Sequence, residues 1–275
     1  MMADKELSIE LQFKTKSGAV GSGRFNFLNS LKGWECFLFI LALIGLWQLA
    51  AVTLPGERAF LFPKLTVVAV AFWNSLPELL RGTYASFLIL IPGYLSAVAL
   101  GVILGVVVVE IKWLERMFMP FARIASPVPP TIYIPYAIAL LATFRQASIF
   151  IVFIGAFWPV FINTATGAAA VPLRLRDDAR ILGFTRLEYL RWVALPASLP
   201  HSFSGMAVGL ALAFILLTVA ELFGANAGLG RFVQYYADYA DYPRMVAGII
   251  YTGLITFLSM TVLERIRKRV LFWVD

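Results

Sequence analysis

Few side chains in this sequence are set up to make or break bonds. His201 is the single histidine. It follows Pro200 with no Cys or His neighbours, and a metal site needs several such ligands. No GxxxxGK[ST] loop is present to cradle a nucleotide's phosphates, so the chain is not expected to hydrolyse ATP by itself. No Ser/His/Asp arrangement stands out. What remains is a polar, basic stretch at residues 171–200, VPLRLRDDARILGFTRLEYLRWVALPASLP, between two long apolar runs. Leu175, Ala179 and Leu182 recur there at helical spacing, with Arg174, Asp177, Asp178 and Arg180 between them. The chemistry open to such a segment is recognition: a mixed-charge face with a small-residue apex is a docking surface for another protein. A second candidate is Glu221, because an ionisable group in or beside an apolar span is a functional-site hypothesis by default.

The elements that must position these groups are legible nearby. Pro172 suits the first position of a helix, where its missing N–H costs nothing. Gly183 reads as the left-handed residue that ends that helix. Thr185 and Glu188 make a capping box for a second helix, which carries Leu187, Leu190 and Ala194 and is expected to stop before Pro196. The expected product is a helix–glycine–helix hairpin.

The rest of the chain is apolar. Sixty per cent of the 275 residues are hydrophobic and 14% are charged, which lies outside the soluble range. Six apolar runs, at roughly 35–54, 83–109, 124–143, 147–169, 202–221 and 245–263, read as membrane spans. Of the 23 Lys and Arg, seventeen fall before the first span, after the second, in the 171–200 loop or in the tail. The positive-inside rule then places both termini and the hairpin in the cytoplasm of a multi-pass cell (inner) membrane protein. The basic excess is therefore topology, with the lipid bilayer and not nucleic acid as its partner. A single cysteine, Cys36, excludes an internal disulfide. Residues 1–34 read as a polar cytoplasmic tail without a cleavable signal, residues 35–263 as the membrane domain and residues 264–275 as a basic cytoplasmic tail.

Residues 55–82 are expected outside, broken by Pro55, Pro63 and Pro77, with a short interfacial helix at 65–73. Pro92 should kink the second span. Gly101/Gly105 and Gly205/Gly209 form GxxxG pairs that either pack helices tightly or occur by chance. Pro127, Pro129, Pro130 and Pro135 crowd the third span. Ser126–Thr131 is read either as an extended segment beside the pathway or as the tail of the preceding loop. In the fourth span Asn163, Thr164 and Thr166 either bond across helices or line the route. Glu221 is either a capping or interfacial carboxylate at the outer boundary, paired to Arg231 or Arg244, or serves the gate or pathway; Asn226 and a Gly228–Gly230 turn follow.

Asp177-Asp178-Ala179, three residues, Gly183, and then Leu195-Pro196 resembles the coupling loop of permease subunits of ATP-binding-cassette importers. Ala220-Glu221, Asn226, Gly228-Leu229-Gly230 and Ser126-Pro127-Val128-Pro129-Pro130 resemble the nitrate/sulfonate/taurine/bicarbonate branch of that family. The resemblance spans about residues 80–275, and it departs where Asp177-Asp178 replaces the family's Glu-Ala. It implies an all-α, type I importer permease of about six transmembrane helices. By the same resemblance Asp177, Asp178, Ala179, Gly183, Leu195 and Pro196 would couple to the ATPase. Ser126, Pro127, Pro129, Asn163, Glu221 and Asn226 would lie along the translocation pathway. The implied partners are a second copy of the chain, two ATP-binding subunits and an extracytoplasmic substrate-binding protein. No cofactor would be bound by this chain, with ATP and Mg held by the ATPase subunits. The solute implied is a small anion or another small organic compound. The rival reading is an ion-coupled secondary transporter or channel, which has no need of the hairpin.

Overall fold

The computed structural model describes residues 34–53 and 61–273. Of the expected tail at 1–34, residues 1–33 lie outside the described residues and Trp34 opens the first helix; the side chain of Cys36 also lies outside them. Among the described residues the regular structure is helical, and it divides into two compact units, residues 1–65 and 66–275. In the first, α1 (Trp34–Thr53) is an apolar helix. Its Trp47 indole donates to the Pro63 carbonyl at 3.1 Å and sits edge-on to Phe62.

In the second unit, α2 (Leu65–Glu110) runs 46 residues without a break. At 1.5 Å per residue it is roughly 69 Å long, more than twice a bilayer's apolar core. The expectation of a broken segment at 55–82 is corrected from Leu65 onward. Pro77 and Pro92 both lie inside the helix, where each removes one hydrogen bond without ending it. α3 (Lys112–Ala125) follows, and then Pro130–Tyr133 forms one 3₁₀ turn before the seven-residue α4 (Ile134–Leu140). No single helix crosses at 124–143. Four prolines withhold their amide hydrogens there, and the segment becomes two helices meeting at a break. Pro129 is extended, but Ser126 is still helical in backbone angle, so the expected extended stretch shrinks to its centre.

α5 (Phe144–Ala169) is the middle of the unit. A Cβ on Gly101 would meet Val160 at 2.9 Å, and one on Gly105 would meet Thr164 at 2.8 Å. From the other side, a Cβ on Gly205 would lie 2.7 Å from the Pro159 carbonyl, and one on Gly209 3.0 Å from that of Ala156. Both GxxxG pairs are therefore real packing seams, with α5 held between two glycine faces. Thr164 donates to Ser202 across the second seam at 2.9 Å, and both are fully buried. Asn163 instead donates back to the Pro159 carbonyl. Gly205→Leu should cost about 1–3 kcal/mol by overpacking. The check is a thermal melt in detergent, with Val208→Leu, on the exposed apolar face of the same helix, as a neutral control.

The hairpin is made by α6 (Leu173–Ile181) and α7 (Arg186–Tyr189). Here the second helix does not stop before Pro196. It passes through a π turn at Leu190–Ala194 into α8 (Leu195–Gly224). The Leu195 amide bonds back five residues to Leu190. That register change lets the missing N–H of Pro196 fall at the start of a new helical segment, where it costs little. α7, the π turn and α8 thus form one 39-residue helical run, Arg186–Gly224. α9 (Leu229–Asp238) and α10 (Tyr242–Val270) complete the chain, and α10 carries the basic run from Arg265 onward.

Four of these helical runs are long and apolar enough to cross a membrane, and two shorter apolar helices bring the total to about six. The outward faces are apolar: α10 buries only Val246, Ala247, Gly248 and Tyr251, while Ile249, Ile250, Phe257 and Leu258 stay exposed.

Candidate functional site

The hairpin's apex is built by two local devices. Gly183 adopts φ +75°, a conformation that costs a side-chain-bearing residue about 1–2 kcal/mol. Its amide donates to the Arg180 carbonyl, and the Phe184 amide to that of Ala179, each at 3.0 Å. This pair of bonds is the Schellman closure of a helix C-terminus. Two residues on, the Glu188 amide donates to the Thr185 hydroxyl, and the Thr185 amide donates to the Glu188 carboxylate at 2.7 Å. Hydrogen bonds from the Thr185 hydroxyl and amide hold the Glu188 carboxyl below its ordinary value. A carboxyl so depressed favours the hairpin above the usual carboxylate range, and that contribution is lost as pH falls through its lowered value. Thr185→Ala should destabilise α7 by about 1 kcal/mol. Faster amide exchange over 185–190, with the spans unaffected, is the expected readout.

The apex is open. Asp177, Asp178, Ile181, Leu182 and Leu187 all face outward, Ile181 at 83% and Leu182 at 72% exposure. Two carboxylates beside three bare aliphatic side chains form a small amphipathic knob, which suits burial in a partner's cleft. Ala179 faces inward and is buried. It shares an apolar cluster with Val106, Val109, Ala165, Ala168, Tyr189 and Ala194, so the hairpin rests on the ends of α2 and α5. Pro172 caps α6 one position earlier than expected, with Leu173 as the first helical residue. Leu195 and Pro196 lie at the end of the π turn, half-buried, where hairpin becomes span.

The base of the hairpin has a connection that the sequence did not reveal. Arg176 donates to Glu110, the last residue of α2, at 2.8 Å. Its Nε donates to the Tyr189 hydroxyl at 3.3 Å, and its guanidinium lies 5.6 Å from the centre of that ring. The Tyr189 hydrogen bond, aided by the Glu110 charge, raises the Arg176 pKa above its ordinary value. A cleft of about 660 Å³ opens beside this junction, lined in part by Lys112, Glu115, Arg180, Thr185 and Arg186.

The residues expected along a pathway do not form one cluster. Ser126, Pro127 and Pro129 lie at the break between α3 and α4, and Pro127 and Pro129 are exposed. Asn163 sits in the seam with α8, within contact range of Gly205. Asn226 is exposed in a second cleft with Thr143 and Arg145.

Glu221 is fully buried at 0% exposure. Its carboxylate accepts from Ser86 at 2.5 Å and from the Gly230 amide at 2.7 Å, with the Arg231 amide as a further donor. Ser86 in turn accepts from the Leu229 amide. Glu221 thus caps the N-terminus of α9 and ties α8 to α2. Gly228, at φ +152°, lies hard against the carboxylate, where no Cβ could fit. The expected ion pairs with Arg231 or Arg244 are absent: Arg244 pairs with Asp241, and Arg231 lies over the Tyr235 ring. Backbone amides satisfy the carboxylate instead. The Tyr236 hydroxyl, which donates to Glu78 at 2.9 Å, fixes the other end of α9. Burial and then that bond raise its pKa. Ser86 was missed because a serine 135 positions away within an apolar run carries no pairing signal.

Comparison with known proteins adds the context. A model of the inner membrane component of binding-protein-dependent transport systems matches residues 97–272. The nitrate import permease protein NrtB of Leptolyngbya laminosa is 31% identical over 83% of this chain and 84% of its own. The bicarbonate transport system permease protein CmpB of Synechococcus elongatus is 28% identical over 80% of this chain and 82% of its own. A chain of the MetNI methionine ABC transporter, solved in inward-facing conformations, superposes with a TM-score of 0.53 at 20% identity. It covers 75% of this chain and 97% of its own, which is a likeness of fold. The chain belongs to the inner membrane components of binding-protein-dependent transport systems, and is a non-catalytic permease subunit of an ATP-binding-cassette importer whose ATPase is a separate subunit.

Proposed function

We propose that the 173–189 hairpin is the part of this permease that engages the ATPase, with both termini and the hairpin on the cytoplasmic side. The observation that carries this reading is the knob itself. Acidic and aliphatic side chains are bared at a rigidly capped apex, and the same helical run continues into the α8 span. Asp177, Asp178 and Gly183 supply the docking face, Ala179 seats the hairpin on the spans, and Leu195–Pro196 joins it to α8. Closure of the ATPase pair would move the hairpin as a lever, and α8 would carry that displacement across the membrane.

The complex is proposed as two copies of this chain, two ATPase subunits and one extracytoplasmic binding protein. Solute would pass between the copies past the α3–α4 break, Asn163 and Asn226, with the buried Glu221 fixing the α9 turn beside that route. The names of the relatives favour a small anion such as nitrate or bicarbonate. The apolar runs 83–109, 147–169, 202–221 and 245–263 hold no Lys or Arg, so recognition is assigned to the binding protein. The test is purification of the tagged chain from its native membrane, followed by reconstitution with ATP and the binding protein. A stoichiometric ATPase subunit and ATP-dependent uptake of labelled nitrate or bicarbonate are expected. Solute movement by a preparation free of ATPase would overturn the reading in favour of a secondary transporter.

A further inference from the structure

We infer that Glu110 and Arg176 form a second mechanical link between the docking hairpin and the spans, so that the hairpin drives α2 as well as α8. The inference rests on the docking reading above. α7 is joined to α8 through continuous helix, but no such continuity ties α6 to α2. The two meet through the 2.8 Å ion pair between Arg176 and Glu110, 66 positions apart.

Three observations set this pair apart. The other ion pairs among the described residues join positions i and i+3 of one helix, and they are more exposed. Such pairs contribute little. Glu110 and Arg176 are 15% and 27% exposed, and they bridge separate elements. Second, Arg176 is held by both halves of the hairpin at once, because the Tyr189 hydroxyl and ring also engage it. One guanidinium thus pins α2, α6 and α7 together, and Tyr189 is itself buried. Third, Arg176 is the one charged side chain of α6 turned inward. Arg174, Asp177, Asp178 and Arg180 are exposed, with Asp177 and Arg180 paired on that outer face at 3.4 Å, while Arg176 reaches Glu110 of α2. The outward face is free to engage a partner while the inward face stays latched.

Glu110 is also the final residue of α2, whose Ser86 is bonded to Glu221 of α8. α2 and the α7–α8 run are therefore connected at two levels, by Arg176 near the hairpin and by Ser86 near α9. A force on the apex would bear on both helices at once. Arg176 and Glu110 are positioning residues in this scheme and touch neither nucleotide nor solute.

The test uses the complete transporter in proteoliposomes with its ATPase and binding protein. Variants are Glu110→Gln, Arg176→Gln and the exchange Glu110→Arg with Arg176→Glu. Bound ATPase, ATP hydrolysis and uptake per ATP are measured together. The expected result is retained ATPase and continued hydrolysis, with uptake per ATP down about tenfold in each single variant, a usual size for a coupling term. The exchange should recover most of that loss. Uptake per ATP within about twofold of wild type in the single variants would overturn the inference. So would loss of the ATPase from those complexes, because the pair would then shape the docking face instead of transmitting motion. An exchange no better than the single variants would also overturn it. Failure of the docking reading itself shows earlier, as a wild-type preparation that lacks ATPase or transports without ATP.

Discussion

Gly183→Pro is expected to uncouple the transporter while leaving its spans folded. Proline fixes φ near −65°, whereas Gly183 sits at +75°. The substitution also deletes the amide that donates to Arg180. Both halves of the Schellman closure are then lost, and the angle between α6 and α7 is no longer defined. The damage stays local, because the spans are held by the α5 seams and by the apolar cluster around Ala179. Uptake per ATP should fall by roughly tenfold or more, with melting of the membrane domain little changed. Gly183→Ala is the informative companion. A Cβ there meets nothing within 4 Å, so only the backbone penalty of about 1–2 kcal/mol remains, and most transport should survive. Normal transport by Gly183→Pro would defeat the docking assignment.

Glu221→Ala should be the most destabilising single change in the membrane domain. It strips the acceptor from the Gly230 and Arg231 amides in a fully buried position. Each orphaned donor costs about 1–3 kcal/mol, so a loss of about 3 kcal/mol is expected. It should appear as a lower melting temperature in detergent and as rapid exchange over 225–232. Glu221→Gln keeps one acceptor oxygen and should lose less. Ser86→Ala removes one donor to Glu221 and the acceptor of the Leu229 amide, and should fall between the two. Because the substituted groups lie away from the hairpin, the ATPase should remain bound in all three variants.

What the sequence revealed follows the range over which each structural cause acts. The Gly183 closure and the Thr185–Glu188 capping box were legible because each is set within six residues. The glycine seams were legible as spacing, but whether they packed depended on Val160, Thr164 and Ala156, which the spacing does not name. Pro196 misled for a related reason. A proline ends a regular helix, but a π turn five residues long shifts the register and absorbs it. Pro77 also misled, because α2 continues through it as α-helix. The third span was recognised as irregular from its prolines, but its division into α3, a 3₁₀ turn and α4 depends on which amides find partners. Least legible were the long-range polar contacts. Arg176 looked like one more basic loop residue, and Glu221 was assigned arginine partners close in sequence. Their actual partners, Glu110 and Ser86, lie 66 and 135 positions away.

The most direct test of the hairpin's role is a site-directed cross-link in native membranes. Cys36 is replaced by Ser, and a single cysteine is placed at Leu182 on the apex or at the exposed Leu140 at the end of α4. A short bifunctional thiol–amine reagent is then applied. The docking account predicts an adduct between the Leu182→Cys chain and the ATPase subunit, weakened or strengthened by ATP, and no such adduct from Leu140→Cys. Absence of the Leu182→Cys adduct in membranes that still contain the ATPase, or equal adducts from both positions, would contradict it.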